Sequence, residues 1–80
     1  MNNIELYREG FTITEITRKN NLSDMEVQNF IKEISTSDLK IHKIKIRNRI
    51  IEMNDEGYTI NAINKKTSVS ISIIKDILGK

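Results

Sequence analysis

The fold is decided by the stretch Glu9-Gly10-Phe11-Thr12-Ile13-Thr14-Glu15-Ile16, because a near copy of it recurs later in the chain. The copy begins 47 residues further on and reads Glu56-Gly57-Tyr58-Thr59-Ile60-Asn61-Ala62-Ile63. The alignment runs without a gap from the pair Ile4/Ile51 to the pair Glu33/Lys80. Apolar positions match and polar positions drift, which indicates two copies of one small folding unit. The first-copy residues with identical partners are Ile4, Glu5, Glu9, Gly10, Thr12, Ile13, Ile16, Lys19 and Ser23.

Length and composition restrict the class of protein. The 80 residues form one small domain or two very small ones, and each copy alone is near the size at which a core becomes marginal. We therefore expect the copies to pack on each other or on a partner. The chain has no cysteine and one histidine, so we expect no disulfide, no metal cluster and no cofactor. It has no long apolar run and no signal-peptide pattern, which favours a cytoplasmic protein without membrane contact.

Charge is distributed unevenly along the chain, although the net charge is only +2. Residues 1–36 carry four basic and six acidic side chains, and residues 50–80 carry four of each. Residues 37–49 carry five basic side chains and one acidic one. The positive charge therefore lies between the repeats, as either a phosphate-binding segment or a solvated linker helix. The five basic residues are Lys40, Lys43, Lys45, Arg47 and Arg49.

Helix signals follow one another closely in the first copy. Gly10 supplies the left-handed conformation that ends a helix. The pairs Thr12/Glu15 and Ser23/Glu26 have the spacing of a capping box, in which a hydroxyl and a carboxylate satisfy backbone N–H groups at a helix start. The predicted helices are about 3–9, Thr12 to about Asn20, and about 24–34.

The segment between the repeats has a mixed pattern. Residues 44–47 alternate as a strand would, whereas the wider segment carries a broad helical stripe of apolar residues. We predict one long helix from about 38 to 55, capped by Ser37, whose last turns replace the first helix of the second copy. The second copy then adds helices that start after Thr59 and Ser70 and end at about 66 and 78.

The order of helix, glycine, short helix, tight turn and Ser-capped helix is that of a trihelical helix-turn-helix. The residues that carry it are Leu6-Tyr7-Arg8-Glu9-Gly10-Phe11-Thr12, Glu15-Ile16, Leu22-Ser23, Val27 and Phe30-Ile31, and in the second copy Glu56-Gly57-Tyr58-Thr59, Ile63, Val69-Ser70, Ile74 and Ile77-Leu78. This pattern resembles the homeodomain-like DNA-binding modules of transposases, resolvases and invertases, and a module of phage terminase small subunits. Thr17 and Asn64 depart from it, since the family usually has a small alanine there.

The helix signals and the resemblance together predict an all-α fold of five helices. These form two tandem trihelical helix-turn-helix units, residues 1–36 and 50–80, and the second unit is joined through a longer basic helix. Residues 37–49 are the basic linker or the start of that helix. The resemblance implies a small transcriptional regulator of phage or other mobile-element origin that binds duplex DNA.

The resemblance also implies which residues contact DNA. The N-terminal parts of the third and last helices would enter the major groove, and the basic stretch would contact phosphates. Gln28 and Asn29 are side chains of the kind that bond adenine through two contacts. The implied DNA-binding residues are Ser23, Met25, Gln28, Asn29, Lys32, Lys40, Lys43, Lys45, Arg47, Arg49, Ser70, Ser72 and Lys75.

A protein-interaction module of the same fold, one that binds and modulates a repressor or polymerase subunit, stays open as an alternative. Carboxylates in the first turn of the third helix would repel phosphate. Apolar side chains on an exposed face suit a protein partner better. The contact residues would then be Asp24, Met25 and Ile71. A homodimer through Ile44, Ile46 or Ile50 is also open.

No motif in the sequence predicts an enzyme. The chain has no glycine-rich phosphate loop and no nucleophile with a neighbouring base. We expect His42 to be an exposed residue among the lysines.

Overall fold

The computed structural model describes residues 2–80, which form six α-helices joined by short turns. The prediction of an all-α fold is confirmed. The predicted count of five helices is wrong, because the long helix between the repeats is additional to three helices before it and two after it. The helices are α1 (Asn3–Arg8), α2 (Ile13–Asn20), α3 (Asp24–Glu33), α4 (Thr36–Asp55), α5 (Ile60–Thr67) and α6 (Ile71–Leu78).

Both predicted capping boxes of the first repeat are formed. The hydroxyl of Thr12 accepts the N–H of Glu15 at 3.2 Å, and the carboxylate of Glu15 accepts the N–H of Thr12 at 3.1 Å. Ser23 and Glu26 exchange the same two hydrogen bonds at 3.2 and 3.1 Å. Asn21 adopts the left-handed conformation that ends α2, with φ of 51°. Local sequence thus determines where α2 and α3 begin and where α2 ends.

The start of α4 differs from the prediction. The N-cap is Ser35 and not Ser37, so the helix begins at Thr36. The hydroxyl of Ser35 accepts the N–H of Asp38 at 3.0 Å, and the carboxylate of Asp38 accepts the N–H of Ser35 at 3.0 Å. This third capping box satisfies two backbone donors at once, whereas Ser37 has no acidic partner three residues later.

Helices of the second repeat are capped without capping boxes. The hydroxyl of Thr59 accepts the N–H of Ala62 at 3.1 Å, and that of Ser70 accepts the N–H of Ile73 at 3.3 Å. Neither Ala62 nor Ile73 has a carboxylate that could return the bond. Ser68 ends α5 in the left-handed conformation, with φ of 66°.

The two repeats build two hydrophobic cores that share several equivalent positions. Leu6 and Ile16 of the first core are the alignment partners of Met53 and Ile63 in the second. The second core takes its first helix from the C-terminal part of α4. The buried residues are Leu6, Tyr7, Ile16 and Phe30 in the first core, and Ile50, Met53, Ile63 and Ile74 in the second.

The long helix α4 belongs to both halves of the molecule. Residues 37–49, predicted as a linker or the start of a long helix, lie entirely inside α4. Helix α4 packs on α1 and also on α5 and α6, and α2 packs on α5. The hydroxyl of Thr12 donates to the carbonyl oxygen of Thr67 at 2.7 Å across the α2–α5 contact. The repeats therefore pack directly against each other, which is one of the two arrangements that their small size predicts; the other was packing on a partner.

The described part of the chain was searched for membrane spans and metal sites. No helix within residues 2–80 is long and apolar enough to cross a membrane. No group of three or more His, Cys, Asp or Glu side chains in that range could hold a metal ion.

Candidate nucleic-acid interface

The candidate side chains of α3 all lie at the surface. Phe30 is buried in the first core, and this fixes which side of the helix points outward. Met25 is the most exposed large apolar residue in the described part of the chain, with 74% of its surface accessible. The exposed candidates here are Ser23, Asp24, Met25, Gln28, Asn29 and Lys32.

Helix α6 presents a different surface. Ile74 is fully buried against the second core and orients the helix. Ile71, at the first position of the helix, is 39% exposed, and Ile73 is 52% exposed. The exposed candidates on α6 and at its N-cap are Ser70, Ile71, Ser72 and Lys75.

A shallow groove of about 400 Å³ runs between α2 and α3. It brings Arg18 of α2 close to Asp24 and Gln28 of α3. A cation, a carboxylate and an amide thus line one opening, with Ile13 and Val27 as its apolar part. The groove combines hydrogen-bonding groups with opposite charges, so it has no marked preference for an anion.

Basic residues of α4 divide between different sides of the helix. Lys40, Lys43 and Arg47 share the outward side, because residues three and seven positions apart lie on one face. The three are exposed and extend over about 10 Å of helix. Lys45 is exposed on another side. Within residues 2–80, the ion pairs are Arg8–Asp38 and Arg49–Glu15, and neither involves these four residues.

Arg49 is placed differently from the other basic residues. Its guanidinium donates to both carboxylate oxygens of Glu15 at 2.6 Å, and to the carbonyl oxygen of Gly10 at 3.2 Å. It also lies over the ring of Phe11, 4.5 Å from the centroid. The side chains of Arg49 and Glu15 are only 17% and 11% exposed. The guanidinium is thus engaged inside the molecule, and we leave Arg49 out of the candidate phosphate contacts.

The carboxyl group of Glu15 is shaped by this contact. Burial by itself raises the pKa of Glu15, but hydrogen bonds from Arg49 and from the Thr12 backbone, together with the Arg49 charge, outweigh it. The pKa of Glu15 is therefore held below its usual value of 4.5. The pair stays ionised at neutral pH and joins α2 to the long helix.

His42 is half-buried, so the prediction that it is exposed is wrong. Its ring stacks on Tyr7 with centroids 3.8 Å apart and planes within 5°. Nδ1 lies 2.7 Å from the carbonyl oxygen of Tyr7, so Nδ1 carries the hydrogen and donates it. Burial lowers the pKa of His42, although this hydrogen bond and the charge of Glu15 act in the opposite direction.

Asp38 is the second acidic group that fixes α4 to the first repeat. Arg8 donates to its carboxylate at 2.7 Å. The backbone N–H of Ser35, and then the hydrogen bond from Arg8, lower the pKa of Asp38. Its pairing with Arg8 was not predicted, because no local pattern reports a contact between residues 30 positions apart.

The candidate residues thus lie on three separate surfaces, one on each of α3, α4 and α6. Helix α3 packs on α1, whereas α6 packs on α4 and α5. The candidate cations Lys40, Lys43 and Arg47 lie on the helix that supports α6. No known protein family, no curated protein and no solved structure matches the chain.

Proposed function

We propose that the chain is a small sequence-specific DNA-binding regulator built from two tandem helix-turn-helix units. The observation that carries the proposal is the outward side of α4, where Lys40, Lys43 and Arg47 stand exposed within about 10 Å of helix. Three cations on one face, none of them in an ion pair within residues 2–80, suit a polyanion such as a nucleic-acid backbone.

The turns support the assignment of helix-turn-helix units. Helices α2 and α3 are joined through Asn21 and a Ser23 cap, and α5 and α6 through Ser68 and a Ser70 cap. In each pair a left-handed residue reverses the chain sharply. The second helix of each pair exposes its N-terminal side chains, which is the arrangement a groove-binding helix requires.

The chemistry has two parts. Lys40, Lys43 and Arg47 bind phosphates and release condensed counterions, which provides affinity without sequence preference. Side chains at the start of α3 or of α6 are the candidates for contacts with base edges, which provide the sequence preference. On α3 these are the amides of Gln28 and Asn29, which suit adenine, and on α6 they are the hydroxyls of Ser70 and Ser72, which can both donate and accept.

A protein-interaction module is the second candidate, and the exposure of Met25 favours it. Met25 is 74% exposed and stands between two exposed carboxylates, Asp24 and Glu26. Methionine adapts its shape to varied apolar partners. In this reading Asp24, Met25 and Ile71 contact a partner such as a repressor or polymerase subunit.

The proposal is tested by selecting from a pool of random duplex DNA at about 50 and 200 mM salt. We expect one sequence to be enriched. Its binding should weaken with salt, with a slope of about −3 in log association constant against log salt for three phosphate contacts. Retention of no duplex even at low salt would overturn the proposal and favour the protein-interaction module.

A pair of variants identifies the phosphate contacts. The triple variant Lys40→Ala, Lys43→Ala, Arg47→Ala should bind weakly, with a nearly flat salt dependence. Lys45→Ala is the control on another side of the same helix, and it should keep most of the affinity and the salt slope. Equal effects per charge removed would show that net charge alone matters, and would contradict a defined phosphate-binding face.

A further inference from the structure

The repeats differ most in the acidic side chains at the starts of their helices. Residues 12–33 carry three basic and four acidic side chains, whereas the aligned residues 59–80 carry four basic and one acidic. Both segments fold into the same pair of helices, so the change in charge is a change of surface. The replacements at helix starts are Glu15 by Ala62, Asp24 by Ile71 and Glu26 by Ile73.

Because of these replacements, the start of α3 repels an anion, whereas the start of α6 attracts one. Helix α3 begins with the exposed carboxylates of Asp24 and Glu26, which repel phosphate. Helix α6 has no acidic residue in its first turn. The partial positive charge of its N-terminus is therefore not offset by a carboxylate of its own, and Lys75 adds a full charge one turn later.

The remaining positive charge lies on α4, the helix on which α6 packs. Ile74 of α6 packs in one core with Ile50 and Met53 of α4. Helix α4 carries the exposed cations Lys40 and Arg47 on its outward side. In the first repeat, by contrast, Glu15 forms a mostly buried ion pair with Arg49, so that basic residue is not available at the surface. The exposed charges of α3 are mainly negative.

An apolar residue at the start of α6 has a specific use in a DNA groove. Ile71 occupies the first helical position and is 39% exposed, between the hydroxyls of Ser70 and Ser72. The C5-methyl group of thymine is the apolar feature of the major groove, and aliphatic side chains contact it. The aligned residue of the first repeat is Asp24, which could make no such contact.

We infer that the second repeat alone contacts the duplex, with Ile71 packed on a thymine methyl group, and that the first repeat serves to hold α4 in place. This inference rests on the proposed function and sharpens it: α6 enters the major groove, and Lys40, Lys43 and Arg47 bind the flanking phosphates. The first repeat acts through the Arg49–Glu15 contact, and α3, with its acidic start, makes no contact with the DNA.

The repeats themselves supply the decisive variants. The double change Ile71→Asp, Ile73→Glu gives α6 the acidic start of α3. The carboxylate at position 73 completes a capping box with Ser70, so the helix should fold at least as well as before. The reciprocal change Asp24→Asn, Glu26→Gln removes the acidic start of α3. Circular dichroism and thermal unfolding serve as the check that both variants are folded.

Binding of both variants is measured by fluorescence anisotropy on the duplex that the wild-type chain selects. We expect the α6 variant to bind at least about tenfold more weakly, since it places two carboxylates against the duplex. We expect the α3 variant to bind within about threefold of wild type, because α3 meets no phosphate. A loss on Gln28→Ala, Asn29→Ala with full binding by the α6 variant would overturn the inference while leaving DNA binding intact.

The thymine contact has a separate test. Deoxyuridine lacks the C5-methyl group, so replacing thymines of the selected site one at a time removes single methyl groups. At one position we expect about fourfold weaker binding by the wild-type chain, the value of one buried methyl group. The Ile71→Ala variant should bind the thymine duplex and the duplex with deoxyuridine at that position equally. If no deoxyuridine weakens wild-type binding, the thymine contact is wrong, and if the wild-type chain binds no duplex, the proposed function fails together with it.

Discussion

Gly10 and Gly57 are aligned residues with the same backbone angle, φ of 100° and 99°, but their surroundings differ. A Cβ atom at Gly10 would lie 2.9 Å from the backbone carbonyl carbon of Lys45, whereas a Cβ at Gly57 would meet nothing within 4 Å. The first glycine allows α4 to cross closely over the α1–α2 turn, and the second only reverses the chain at the surface. Identical residues at aligned positions of the two repeats therefore share a backbone conformation but differ in how closely other elements pack against them.

The largest expected effect is on this pair of glycines. Gly10→Ala should lower the free energy of unfolding by about 3 kcal/mol or more, since it adds a backbone clash to the cost of positive φ. Gly57→Ala should cost about 1–2 kcal/mol, because only the conformational term applies. Urea unfolding of both variants measures the difference. Equal losses would show that α4 does not press on the first turn.

Next in size is the ion pair that only the first repeat possesses. Arg49→Gln leaves the Glu15 carboxylate mostly buried without its cation and should cost about 2–3 kcal/mol. In the second repeat, Ala62 is aligned with Glu15 and has no carboxylate that could form such a pair. Unfolding of Arg49→Gln, Glu15→Gln and the double variant forms a thermodynamic cycle. Additive losses would mean that the pair contributes no coupling and that α4 is held by other contacts.

The same pair predicts an acid dependence. The pKa of Glu15 is lower in the folded chain than the usual 4.5, so its stabilisation is present above pH 4.5 and is lost as pH falls through the folded value. Wild-type stability should fall with pH in that window, and Glu15→Gln should fall less steeply. Identical pH profiles from urea unfolding at stepwise pH would argue against this role of the carboxylate.

A smaller effect, of opposite sign, is expected from giving the second repeat a capping box. Ala62→Glu places a carboxylate three residues after Thr59 and should stabilise the chain by about 0.5–1 kcal/mol. Ala62→Lys is the control of similar size that offers no acceptor for the Thr59 N–H. If both variants have the same free energy of unfolding in urea, the difference in capping between the repeats does not contribute to stability.

The smallest effect concerns His42. Its pKa is lowered by burial from 6.5, so the unfolded chain binds a proton more readily. Stability should therefore decrease as pH falls below 6.5 and continue to decrease until the folded ring is protonated. This window begins at a higher pH than that of Glu15. The variant His42→Phe, which keeps a ring against Tyr7, should show no change between pH 7 and 5.5, and a wild-type profile that is equally flat would contradict the account.

Helix starts and ends were largely predictable, because caps are local chemistry. Thr12, Ser23, Thr59 and Ser70 act as N-caps as their sequence context predicts. The start of α4 was misassigned, although Ser35 followed three residues later by Asp38 is a capping-box pattern that could have identified it. The repeat alignment also located equivalent core positions in both halves.

Contacts between distant residues could not be predicted from these patterns. Arg49 belongs to a basic run, and nothing in the run distinguishes the one residue that turns inward to Glu15. The position of His42 depends on Tyr7, whose aligned partner in the second copy is Asn54, so the repeat gave no second instance to compare. Residues on the outward side of a helix follow from period alone, whereas pairing across 30 or more residues depends on how the helices pack.

Contact of the second repeat with the duplex is tested by mapping backbone amide shifts while the isotopically labelled chain is titrated with its selected duplex. We predict the largest NMR perturbations at 70–75 and 40–47, and small ones along α3. Perturbations centred on 23–32, with α6 unaffected, would contradict the claim that the second repeat is the one that contacts DNA.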